Sequence, residues 1–265
     1  MFRRHFLLGV GALVMATGFL AGCGSSPTSP GPVTPPTTPP TNPPPPPPPA
    51  TPATLRISKI LAFGDSMTYG VDSPPLMLRA LDAGISQSYP FKLQSLLVSR
   101  YSGQSVSVFN AGIGGKNAWE DRDRLAGMVS ETHPDLVLLM EGANDLNSIA
   151  PPSTNAQIDS TVAHMEDMVR DTLASGVPVV IATLPPQREG GKGHGIPYLT
   201  KYNNDLKTMA SKKGAFIVDV NAQFPVTLIG IDGLHPTEQG YQLIAAMMFD
   251  AIKSRYEVTP APASQ

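Results

Sequence analysis

The sequence predicts an α/β domain of three layers, α/β/α, around a parallel five-stranded sheet. Three observations carry this. Short β-branched runs alternate with longer amphipathic stretches about five times across residues 54–258, the pattern of strands joined by crossover helices. The run Leu136-Val137-Leu138-Leu139-Met140 is continuously apolar, as suits a strand covered on both faces. About 205 residues remain once the N-terminal segments are set aside, which suits one core better than two small ones.

The chain opens with Arg3 and Arg4 ahead of a 17-residue apolar run ending at Gly22, the n-region and h-region of a signal peptide over residues 1–22. Gly9, Gly11 and Gly18 within the run, and its short span, argue against a retained membrane helix. The run closes Leu20-Ala21-Gly22-Cys23, which resembles a bacterial lipobox. That resemblance implies cleavage before Cys23 and a lipid on its sulfur, so the chain is expected to be exported and anchored to the cell envelope. Gly24 follows the cysteine and gives no inner-membrane retention signal, so an outer-membrane site is expected if the source has two membranes. The Arg pair leaves both the general secretory and the twin-arginine routes open. Cys23 is the only cysteine, which excludes an intrachain disulfide and a cysteine zinc site.

Residues 23–53 read as the lipidated cysteine plus a disordered Pro/Thr tether. Fifteen of the 29 prolines lie between Pro27 and Pro52, and no charge occurs from Gly24 to Leu55. Such a segment cannot bury enough apolar surface to offset its ordering entropy, and its prolines favour an extended polyproline II spacer. Residues 259–265 read as a disordered tail.

Within the domain, 57–63 is apolar and bounded by Gly64, a first strand. Leucines and a phenylalanine at helical spacing predict a helix over 89–101. Alternating Val106 and Val108 place a strand at 105–110. A helix over 119–129, the strand at 136–140 and a long helix over 156–175 closed by Gly176 follow. Then come a strand at 177–183, a helix over 198–213, a strand at 216–219 and a final helix over 237–256. In such a sheet the functional groups gather beyond the carboxyl ends of the strands. The net charge of −2 becomes −4 once the leader's two arginines are removed. A mildly acidic body argues against nucleic acid as a partner.

Four blocks sit at those strand ends: Gly64-Asp65-Ser66-Met67, Asn110-Ala111-Gly112-Ile113-Gly114-Gly115, Gly142-Ala143-Asn144-Asp145, and Asp232-Gly233-Leu234-His235-Pro236. In this order they resemble the SGNH/GDSL hydrolases, over nearly all of residues 57–256. Ser66 could cap a helix, yet a serine just past a strand end with a histidine block elsewhere suits a nucleophile. Of five histidines, His235 alone has a carboxylate three residues earlier, Asp232, able to fix its tautomer. His5 lies in the leader, His133 in a turn, His164 on a helix, and His194 in a glycine-rich loop within reach of substrate. The resemblance implies the same assignments: Ser66, Asp232 and His235 catalytic, with an oxyanion hole from Ser66, Gly115 and Asn144. Gly112 and Gly114 are alternatives to Gly115. Asp65 and Asp145 are expected to brace loops. No metal and no cofactor are expected. A GxSxG elbow is absent, and Asn117 stands where a phosphate-binding loop needs Ser or Thr.

The resemblance thus implies a flavodoxin-like fold and a serine ester hydrolase, expected to act as a monomer. Its substrate is a small acyl ester, an acetylated glycan or a lipid. Carbohydrate O-acetyl esterase and lysophospholipase or thioesterase specificities stay open, and a non-catalytic surface-binding domain is the remaining alternative. An apolar segment at 71–88 beside Ser66 is a candidate wall of the site.

Overall fold

The computed structural model describes residues 52–71, 85–150 and 155–258. The readings at 1–51, at 259–265 and over most of the proposed wall (72–84) lie outside the described residues. In chain order the elements are β1 (Thr54–Leu55), β2 (Lys59–Gly64), the one-turn helix α1 (Ser66–Tyr69), α2 (Tyr89–Arg100), β3 (Ser107–Gly112), α3 (Ala118–Thr132), β4 (Leu136–Met140), α4 (Ala143–Asn147), α5 (Asn155–Ala174), β5 (Val179–Ala182), α6 (Ile196–Lys213), β6 (Phe216–Val218), α7 (Val220–Gln223), α8 (Glu238–Tyr256) and β7 (Glu257–Val258).

Five strands form one parallel sheet in the order β3-β2-β4-β5-β6. The chain steps outward from β2 to β3, then returns past β2 to β4. That reversal makes a crevice at the carboxyl ends of β2 and β4, the place where open α/β sheets hold their sites. Helices α2 and α8 pack on each other on one face, and α3, α5 and α6 pack side by side on the other. The expected three-layer parallel architecture is therefore the one observed.

Each element follows from its residues. All five residues of β4 are buried, as its unbroken apolar run requires. Each such side chain contributes roughly 1.5–3 kcal/mol on burial. Only Lys59 of β2 is exposed. The outer strand β3 alternates instead and leaves Phe109 about half exposed. Ser88 caps α2 by accepting from Phe91 N, and Thr237 caps α8 by accepting from Gly240 N. Gly214 ends α6 in the left-handed region. His133 ends α3 the same way, at φ 46°, so the turn expected at His133 is the one observed, and the helix before it runs three residues past its predicted end at 129.

Two strands start and end two residues or one residue later than the hydrophobic pattern suggests. The predicted strands at 57–63 and 105–110 become Lys59–Gly64 and Ser107–Gly112, because β2 and β3 stay paired as far as Gly64 opposite Gly112. Glycine permits this. A Cβ on Gly112 would lie 2.1 Å from the backbone N of Tyr69, so only a residue without one lets α1 lie against β3. The pairing of β1 with β7, which joins the two ends of the domain, has no local signal in the sequence.

Candidate active site

Ser66 is the first residue of α1, directly beyond β2. Its turn is shaped by Asp65, whose Oδ1 accepts from Met67 N at 2.8 Å and caps the helix. Ser66 Oγ lies 2.8 Å from His235 Nε2, and His235 Nδ1 lies 2.5 Å from Asp232 Oδ2. Ser66 and His235 are both buried. Asp232 Oδ1 accepts from the N–H groups of Leu234 and His235, each at 3.0 Å. Burial pushes the Asp232 carboxyl up, but the His235 hydrogen bond and charge and the two backbone donors outweigh it and hold it at about 2. An ionised Asp232 can only accept, so Nδ1 carries the ring proton. Nε2 is then left to accept from the serine hydroxyl.

The turn that carries Asp232 is gripped by a loop the sequence reading noted only for His194. Arg188 N donates to Gly233 O at 3.0 Å, Lys192 N to Asp232 O at 2.7 Å, and Arg188 Nε to Gly230 O at 3.0 Å. Gly233 adopts φ 86°, and a Cβ there would lie 2.5 Å from Arg188 O. These contacts join residues forty or more positions apart, which no local pattern reveals.

Asn144, in the first turn of α4, donates from Nδ2 to Lys116 O at 2.8 Å and lines the same cavity as Ser66. That cavity, about 380 Å³, is also lined by Gly114, Gly115, Asn147, Lys192 and His194. Gly112 does not line it. Gly115 stands at φ 81° with open space beside its Cα, and a Cβ on Gly114 would lie 3.8 Å from Ser66 Cβ. Asp145 accepts from Ala118 N at 2.9 Å and so holds the start of α3, the bracing role expected of it. Among the described residues no cluster of three or more His, Cys, Asp or Glu is placed to hold a metal, and no helix is long and apolar enough to cross a membrane.

Around Ser66 lies a group of buried charges of which the sequence singles out only Asp65. Asp65, Asp121 and Glu141 are fully buried. Arg124 pairs with Asp121 and donates to Ala111 O at 2.6 Å and Gly64 O at 3.3 Å, with its guanidinium 3.8 Å from the centre of the Phe63 ring. It thereby ties the carboxyl ends of β2 and β3 together. Burial raises Glu141 well above the usual carboxylate range, and Asp65 and Asp121 add to the rise. Burial likewise raises Asp65 to about 7, against the pull of the Met67 N–H and of His235. Between the ordinary value of 3.8 and about 7 the folded state therefore binds more protons than the unfolded chain, and stability falls as pH rises through that window. Asp65→Asn keeps the Met67 acceptor and removes the titration. Urea unfolding is expected to show the variant gaining stability relative to wild type as pH rises through that window; parallel profiles would contradict this.

Comparison with known proteins gives a consistent answer. The profile of the GDSL-like lipase/acylhydrolase family matches residues 62–243. An arylesterase from Vibrio mimicus is 28% identical over 187 residues, 71% of this chain and 84% of the relative. A multidomain esterase from Ruminococcus flavefaciens is 22% identical over 233 residues, 77% of this chain but only 29% of that longer protein. Among solved structures, a lipase/acylhydrolase from Enterococcus faecalis superposes with a TM-score of 0.62 at 23% identity, covering 78% of this chain and all of that one. An acetylxylan esterase from Geobacillus stearothermophilus gives 0.59 at 23% identity, covering 75% of this chain and 96% of its own. At such identities the two structures establish the shared fold. The profile spans more than two thirds of the chain, and with the arylesterase match it decides the assignment: this protein belongs to the GDSL-like lipase/acylhydrolase family and is a carboxylic ester hydrolase.

Proposed function

We propose that the protein cleaves small acyl esters by a two-step acyl transfer in which Ser66 is the nucleophile, His235 the base and Asp232 the group that orients it. The reading rests above all on the unbroken line from Asp232 through His235 to Ser66, at 2.5 and 2.8 Å. Ser66 Oγ attacks the ester carbonyl while Nε2 takes the hydroxyl proton. The tetrahedral oxyanion is met by the N–H groups of Ser66 and Gly115 and by Asn144 Nδ2. Collapse breaks the ester C–O bond, and the imidazolium gives its proton to the leaving alkoxide. Water, deprotonated by His235, then attacks the acyl-enzyme, and the carboxylic acid leaves as Ser66 regains its proton. The cavity of about 380 Å³ suits a short acyl group.

Asn144 is the test of the oxyanion assignment. Its amide has one hydrogen engaged by Lys116 O, which leaves the other free to donate, and the residue lines the cavity. Asn144→Ala is expected to lower kcat by about 10²–10³ with little change in KM, because the donor pairs mainly with charge that exists only in the transition state. A change confined to KM in steady-state kinetics on 4-nitrophenyl acetate would assign Asn144 to substrate binding instead.

The N-terminal segment supports a second part of the reading. The domain is carried at the cell envelope on a lipidated Cys23 and a proline-rich spacer, which keeps the catalytic unit away from the bilayer. Cys23→Ser is expected to shift the protein from the detergent phase to the aqueous phase or to leave it unprocessed. Unchanged detergent partitioning would rule out lipid anchoring through this residue.

A further inference from the structure

A second depression adjoins the catalytic cavity. It has a volume of about 200 Å³ and lies between the start of α3 and the start of α5. Its edge is Trp119, which is 61% exposed. An isolated exposed apolar residue would mean little. Here the setting differs. Apart from Trp119 and Ile149, the lining side chains are polar, among them Asn117, Ser148, Gln157 and Ser160. The Gln157 amide and the Ser160 hydroxyl form no hydrogen bond among the described residues, and the indole takes part in no ring or cation contact there.

The two depressions draw lining residues from the same two chain segments, 114–119 and 144–149. Asn144 lines the catalytic cavity and its neighbour Asp145 lines the second depression. Gly114 and Gly115 line the first, Asn117 and Trp119 the second. Trp119 lies four positions after Gly115, so their Cα atoms are at most roughly 14 Å apart. A ligand that fills both must be extended, must offer a flat apolar face to an indole, and must present hydroxyls around its rim. A pyranose ring has those features: its axial C–H groups form a weakly apolar face, and its hydroxyls lie at the edge. An indole offers the matching rigid surface at little entropic cost.

We propose that the Trp119 depression is a glycan subsite, so that the alcohol part of the ester is a sugar residue of an O-acetylated oligosaccharide whose neighbouring residue stacks on Trp119. This rests on the esterase reading for the acyl half and adds the identity of the other half. The acetyl group enters the cavity at Ser66, and the chain runs across the Gly115–Asn117 segment to the indole. Gln157 and Ser160 then meet the hydroxyls of the stacked ring.

Trp119 is the only tryptophan in the chain, so intrinsic emission reads this site alone. The full-length protein would be titrated with unesterified β-1,4-linked oligomers of xylose, glucose, mannose and N-acetylglucosamine, and with phosphatidylglycerol/phosphatidylcholine vesicles. A saturable change in emission is expected with at least one oligomer and not with vesicles. For the O-acetylated form of that oligomer, Trp119→Ala is expected to lower kcat/KM relative to that on 4-nitrophenyl acetate by about tenfold, chiefly through KM, the loss of one stacked aromatic. Trp119→Phe should recover part of it. No emission change with any oligomer, a change with vesicles alone, or an equal loss on both substrates would each overturn the proposal. Failure of the catalytic reading is separately visible, since it would appear as 4-nitrophenyl acetate turnover by Ser66→Ala with the oligomer titration intact.

Discussion

Ester hydrolysis by Ser66→Ala is expected to fall by about 10⁵-fold or more, while the domain stays folded. The substitution removes one oxygen whose hydrogen-bond partner is His235 Nε2. Without it no covalent intermediate can form, and only the oxyanion donors and substrate binding remain to speed direct attack by water. The fold loses little, because a single side-chain hydrogen bond contributes about 0.5–1.5 kcal/mol and β2 and α1 keep their backbone contacts. Turnover of 4-nitrophenyl acetate, with circular dichroism on the same sample, reads both halves of the expectation. Wild-type turnover by the folded variant would mean another nucleophile.

His235→Ala is expected to cost nearly as much, and the double variant no more than either alone. The reason is cooperation: the base is useless without the hydroxyl it deprotonates, and the hydroxyl is a poor nucleophile without the base. Asp232→Asn should fall below both, at about 10⁴-fold. The amide would donate to Nδ1 and force the proton onto Nε2, which could then no longer accept from Ser66. Asp232 is held at about 2, so it stays ionised far below neutral pH. Additive losses in the double variant, measured by kcat on the same ester, would contradict a single Asp232–His235–Ser66 unit.

The architecture was legible because each βα unit writes its own pattern. The apolar run of β4 and the spaced apolar residues of α2, α5 and α6 need no knowledge of the rest of the chain. The four blocks were legible for a related reason. Each must place a small or polar residue where a strand ends, and Gly64, Gly112 and Gly142 mark those ends. What the sequence did not reveal depends on partners distant along the chain. Arg124 tying Gly64 to Ala111, and Arg188 with Lys192 gripping the Asp232 turn, join residues on different elements. Nothing in the local sequence marks Glu141, and only its enclosure beside Asp65 and Asp121 reveals its shifted titration. Strand ends moved for the same reason, since the pairing of Gly64 with Gly112 is set by the close approach of α1 and not by hydrophobicity.

In the proposed mechanism Ser66 carries the acyl group. The most direct test is to mix the protein with 4-nitrophenyl acetate, quench with acid within the first turnover, and map the acetyl group by peptide mass spectrometry. An acetyl group is expected on the peptide containing Ser66, increased in Asp232→Asn if deacylation slows more than acylation, and absent in Ser66→Ala. An acetyl group on another residue that tracks turnover, or a folded Ser66→Ala variant that still forms the adduct at the wild-type rate, would contradict it.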